Sequence, residues 1–177
     1  MTAEHHERAA CLDFVTREQP FVLRFLLRLG VCVADAEDAV QEAIIQAWRL
    51  AEDGFWSEVN EPRGWIRKVA LRCLNRPQGR RRRVLEIPIV DIPEPRAAST
   101  DGPELTAQTL TIVTMLAGLP RQEAIALTLK MDGLTSAETG AILGVGDQRA
   151  RDLLKQARKR LRRQLAAPAG PDNGRTS

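Results

Sequence analysis

The sequence predicts an all-α protein: two small helical domains joined by a proline-rich extended linker, the second domain built on a helix-turn-helix. Three observations lead there. Ala, Leu and Arg dominate the 177 residues, Tyr is absent and aromatics make up 4%, a composition that favours helices over half-buried strands. Prolines cluster at Pro88, Pro93, Pro95 and Pro103, which forbids a continuous helix between the two helical regions. Charge is sorted into blocks: acidic over 35–61, basic over 63–83, acidic over 86–104 and basic again over 149–163. The net charge is only +3, so this sorting points to polyanion-facing surfaces kept apart from an acidic one.

The first domain is expected over 1–83. Pro20 should open its second helix and Gly30 should close it. The run Ala34 to Trp48 reads ADAEDAVQEAIIQAW, with Asp35 expected as its N-cap and more carboxylates in the first turn. Ala36, Val40, Ala43, Ile44, Ala47 and Leu50 fall on one side, as a core stripe should. Asp38, Gln41 and Glu42 fall on the other, spaced i, i+3 and i+4, with Ile45 among them. A branched aliphatic residue in a polar face suits a docking surface better than a solvated one, although single exposed apolar residues are common. Asp53-Gly54 marks a turn and Pro62 starts another helix. On that helix Trp65, Ile66, Val69, Ala70 and Cys73 form one face, and Arg67, Lys68, Leu71, Arg72 and Asn75 form another. The nearby Phe55 and Trp56 fit either a base-stacking platform or plain core. Arg76-Pro77-Gln78-Gly79 should end the helix and leave Arg80–Arg83 as a basic arm.

Residues 84–103 form the linker, 104–167 the second domain and 168–177 a tail expected to be disordered. Within the second domain a helix ends near Gly118. Another runs from Arg121 to Met131 and stops at Asp132-Gly133. Thr135-Ser136-Ala137-Glu138 has the pattern of a capping box. Leu143-Gly144-Val145-Gly146 then separates a short helix from a long basic one that starts near Asp147. This is the layout of a helix-turn-helix, whose second helix enters the major groove. Ala150, Leu153, Leu154, Ala157 and Leu161 form its core stripe. Gln148, Arg149, Arg151, Asp152 and Lys155 lie in the turns that reach base edges, where Arg suits guanine and Gln suits adenine. Arg158 and the cations beyond it suit phosphates.

Other classes find little support. Cys11, Cys32 and Cys73 are widely spaced and form neither a metal-ligand pattern nor a disulfide framework. No metal or cofactor is expected. Both His lie near the N-terminus, and no glycine-rich phosphate loop follows a strand, so neither enzymatic activity nor a small-molecule substrate is expected. No apolar run is long enough for a membrane span, and the polar start MTAEHHERAA is unlike a secretory signal; the expected location is cytoplasmic, with no membrane partner.

DAEDAVQEA, PRGWIRKVALRCLNR and Leu119-Pro120 followed by DGLTSAETGAILGV and QARKRL together resemble bacterial RNA polymerase sigma factors of the extracytoplasmic-function (ECF) subfamily. The resemblance implies that Asp38, Gln41, Glu42 and Ile45 hold core RNA polymerase. It implies that Phe55, Trp56, Arg67, Lys68, Arg72, Asn75 and Arg76 act at the downstream promoter element and in melting. Gln148, Arg149, Arg151, Asp152, Lys155 and Arg158 would act at the upstream element. The implied partners are core RNA polymerase, promoter DNA and, as often in the family, an anti-sigma factor. Gly146 stands where the family usually has Ser or Thr, and Arg149-Ala150 where it has Thr-Val. Two other readings stay open: a sigma-like DNA-binding regulator that does not initiate, and a protein that binds polymerase or a sigma factor without DNA.

Overall fold

A computed structural model describes residues 3–74 and 107–166; the expected linker and tail lie outside the described residues. Among the described residues all regular structure is helical. The order is α1 (Ala3–Arg28), α2 (Val33–Glu52), a 3-10 turn (Trp56–Glu58), α3 (Pro62–Leu74), α4 (Ala107–Ala117), α5 (Arg121–Met131), α6 (Ser136–Leu143) and α7 (Asp147–Ala166).

The expected break at Pro20 does not occur, and α1 runs through it. Proline removes one backbone donor, but apolar residues on both sides hold the helix to one core. Phe14 and Val15 are buried before Pro20, and Val22, Phe25 and Leu26 after it. Gly30 ends the segment in a left-handed conformation at φ 78°, which only glycine adopts cheaply. The N-cap of α2 is Cys32, with no side-chain cap bond, and Asp35 lies in the first turn instead. A carboxylate there still favours the positive end of the helix dipole. Pro62 opens α3, where its missing N–H costs nothing.

The buried residues of α2 are Ala36, Ala39, Val40, Ala43, Ala47 and Ala51. Small side chains let α2 approach α1 and α3 closely. Ile44 and Leu50, placed in the stripe from spacing, are half-buried at its margin. In the second half, α5 starts after Pro120 and ends at Asp132, and both bonds of the capping box form: Glu138 N–H donates to Thr135 Oγ1 at 3.2 Å and Thr135 N–H to Glu138 Oε2 at 2.6 Å. Gly144 closes α6 at φ 70°. A Cβ on Gly140 would lie 2.7 Å from the Val145 carbonyl oxygen, so glycine is required where α6 meets the turn.

The two halves are in contact. One apolar core runs from Phe25, Ile66 and Leu71 in the first half to Ile125, Leu129, Leu134 and Ile142 in the second. A smaller cluster of Leu116, Leu119, Ala124 and Ala157 packs with Leu29 of α1's end and Leu161 of α7.

Candidate nucleic-acid interface

On α7 the buried stripe is Ala150, Leu153, Leu154 and Ala157, with Leu161 half-buried beside it. That anchoring turns the opposite face outward. Gln148, Arg149, Arg151, Lys155 and Arg158 are exposed, and Asp152 is half-buried. Arg151 pairs with Asp147 one turn earlier. The Arg151 hydrogen bond holds the Asp147 carboxyl below its usual range, and the same bond raises the guanidinium. Gln148 Nε2 donates to Asp152 Oδ1 at 3.4 Å. Two candidate base readers therefore begin with internal acidic partners, while Arg149 and Lys155 stand exposed beside them. Arg160, further along, is tied to the buried Glu123 of α5 at 3.0 Å and serves the fold.

The acidic face of α2 is open. Asp38, Gln41 and Ile45 are exposed, Ile45 at 44%. Glu42 is half-buried and accepts from Gln46 Nε2 at 3.4 Å.

The residues expected at the downstream element are placed differently. Phe55 is 51% exposed, but Trp56 is 7% exposed. Trp56 packs against Phe14 at 5.2 Å and edge-on against Trp65 at 6.1 Å. It is core, a correction to its reading as a stacking surface. Its indole sits between Phe14 of α1 and Trp65 of α3. Arg67 is also corrected: it is fully buried in this arrangement. Arg67 Nη1 reaches Glu18 of α1, and Nε reaches Asp132 of the α5–α6 turn, each at 3.0 Å. Lys68 and Arg72 are half-buried. Asn75 and Arg76 lie outside the described residues. Beside Lys68 is a cavity of about 530 Å³, walled by Phe55, Val59 and Trp65 of the first half and by Glu138 and Ile142 of α6.

Asp132 closes α5 as its position after Met131 predicts, but its side chain has partners that no local pattern indicates. Arg28 Nη1 donates to Asp132 Oδ1 at 2.9 Å, and Arg63 Nη2 donates to the Asp132 carbonyl at 2.8 Å. These pairings span 65 to 104 residues, so no local spacing signals them. Cys11 is buried, and burial aided by Glu7 pushes its thiol up to about 11. It is an unreactive core residue.

An outward polar helix face with one isoleucine, a basic helix beside a cavity and an exposed basic helix after a glycine turn give the fold three separate surfaces. The models of Sigma-70 region 2 and Sigma-70 region 4 match residues 14–83 and 109–161. The chain belongs to the sigma factors, in their ECF group. It is 29% identical over 196 residues to ECF RNA polymerase sigma factor SigG of Mycobacterium tuberculosis (strain CDC 1551 / Oshkosh), covering 90% of this chain and 52% of that protein. The chain thus spans about half of SigG's length. It is 26% identical over 159 residues to RNA polymerase sigma-E factor of Streptomyces coelicolor, covering 88% and 85%. The fold is similar to that of CnrH, solved in complex with the cytosolic domain of CnrY, at TM-score 0.65 and 18% identity over 94% of both chains.

Proposed function

We propose that this chain binds core RNA polymerase, recognises upstream and downstream promoter elements and helps open promoter DNA to initiate transcription. The observation that carries the reading is the α7 surface, where Gln148, Arg149, Arg151, Lys155 and Arg158 stand exposed on a helix anchored by its opposite face. Asp152 lines the edge of that surface. Family membership supports the remaining roles.

In this reading Asp38, Gln41, Glu42 and Ile45 dock on polymerase, the carboxylates meeting basic side chains and Ile45 filling an apolar contact. Phe55 takes an unstacked base, and Lys68, Arg72, Asn75 and Arg76 hold the strand. Flipping a base costs a few kcal/mol, which the polymerase contacts offset. CnrH was solved bound to another protein, CnrY, and a comparable anti-sigma partner belongs to this proposal. The location in this reading is the cytoplasm. No helix among the described residues is long and apolar enough to cross a membrane.

Run-off transcription with core polymerase on a promoter library tests the reading. Initiation from a shared motif supports it. Binding without initiation selects a DNA-binding regulator, and DNA-independent association selects a polymerase- or sigma-binding protein. The double change Asp38→Arg with Ile45→Arg should abolish co-purification with core polymerase while circular dichroism stays unchanged. Undiminished co-purification would remove α2 from the docking role.

A further inference from the structure

The turn that carries Phe55 is tied to α1 by a polar bond. Around it, Phe55 donates its amide to the Leu50 carbonyl at 2.8 Å, Glu58 to that of Phe55 at 3.2 Å and Val59 to that of Trp56 at 3.1 Å. The Ser57 amide instead donates to Oε2 of Glu7, 50 residues away on α1, at 2.9 Å. We propose that Glu7 is a positioning residue: it clasps the turn at Trp56–Glu58 to α1 and so fixes the backbone from which Phe55 presents its ring to a base. The base is named from the reading under Proposed function, on which that part of the inference rests.

The first half of α1 is shaped for this contact. Glu7, Cys11 and Phe14 are spaced i, i+4 and i+7 and share one helix face. Cys11 and Phe14 are buried, and Glu7 adds to the burial that raises the Cys11 thiol, which places its carboxylate close over this face. One turn beyond Cys11, Phe14 meets Trp56 at 5.2 Å, and Trp56 meets Trp65 edge-on at 6.1 Å. Two adjacent residues therefore anchor the turn, Trp56 through its ring and Ser57 through its amide. Phe55 comes directly before them and is 51% exposed.

This arrangement joins a fixed backbone to an open ring. A ring that stacks on a base binds more tightly when its backbone is ordered beforehand, since ordering on binding costs affinity. The charge of Glu7 cannot supply that gain, because a carboxylate near a phosphate chain opposes binding. Its acceptor oxygen can. Glutamine keeps an acceptor and drops the charge, whereas alanine drops both, so the two substitutions separate clasp from charge.

The test uses the full chain with Glu7→Ala, Glu7→Gln and Phe55→Ala. Amide hydrogen exchange at Ser57 reads the clasp in the chain alone. Fluorescence anisotropy, with the chain assembled on core RNA polymerase, reads affinity for a single strand selected from a randomised pool. Exchange at Ser57 should quicken about tenfold in Glu7→Ala and only about twofold in Glu7→Gln, as loss and retention of one hydrogen bond imply. Strand affinity should fall about fivefold in Glu7→Ala and hold or rise in Glu7→Gln, with helical circular dichroism unchanged in both. Unchanged exchange in Glu7→Ala overturns the clasp. Faster exchange with full strand affinity, while Phe55→Ala loses it, makes Glu7 a structural cap and overturns its positioning role. Faster exchange with full affinity in both Glu7→Ala and Phe55→Ala supports the clasp and instead overturns the base-stacking role of Phe55.

Discussion

α3 and α7 are both basic amphipathic helices, and the structure treats them oppositely. α7 packs through Ala150, Leu153, Leu154 and Ala157 and leaves its cations at the surface. α3 is covered on two sides, so that Ile66, Val69 and Ala70 are buried and so are Arg67 and Leu71. The difference shows that cation density identifies a basic helix but does not say what the cations meet. α7 lies at an outer edge of its domain, with helices on one side. α3 lies between α2 and α6, and its basic side faces carboxylates from α1 and from the far half of the chain.

The sharpest break of this comparison is in the core of α7. Leu153→Ala should cost about 2–5 kcal/mol in denaturant unfolding, as truncations at buried leucines do, and weaken DNA binding only through loss of fold. Gly140→Ala should destabilise by about 1–3 kcal/mol, because the added methyl meets the Val145 carbonyl at the helix-turn-helix corner. Either variant melting like the parent would show that the corner is looser than described.

Surface changes on α7 should separate binding from stability. Arg151→Ala or Lys155→Ala should weaken a cognate upstream element by about 1–3 kcal/mol per lost base contact, with little change in unfolding. Equal weakening on every sequence would reassign the residue to phosphate contact. Because Arg151 is already paired with Asp147, its net loss should be the smaller of the two.

Smaller effects test the caps. Thr135→Ala should cost about 1 kcal/mol by removing the hydroxyl that accepts from Glu138 N–H. The Glu138 carboxyl is held below its usual range first by the Thr135 backbone N–H. Its contribution is therefore complete above the ordinary carboxylate pKa and is lost as pH falls through the lower folded value. An acid-unfolding curve of Glu138→Gln should lose that acid-side dependence. Smallest of all is Gly146→Ser. The Gly146 carbonyl accepts from Ala150 N–H, which makes it the N-cap of α7, and a Cβ there meets nothing within 4 Å. A gain of a few tenths of a kcal/mol is expected, so this departure from the family pattern leaves the fold intact.

The sequence by itself determined the helical class, the bounds of α5, the capping box and the turn at Gly144, and the outward face of α7. Each depends on residues a few positions apart, and helix periodicity and capping chemistry are local. Pro20 misled because a helix can carry a proline when apolar residues on both sides are packed into one core. The tertiary structure alone decided that Trp56 is core, that Arg67 is buried and that Asp132 joins the two halves. Those outcomes depend on partners as distant as 104 residues, and on burial, which makes an ion pair between such partners matter far more than the same charges would in water.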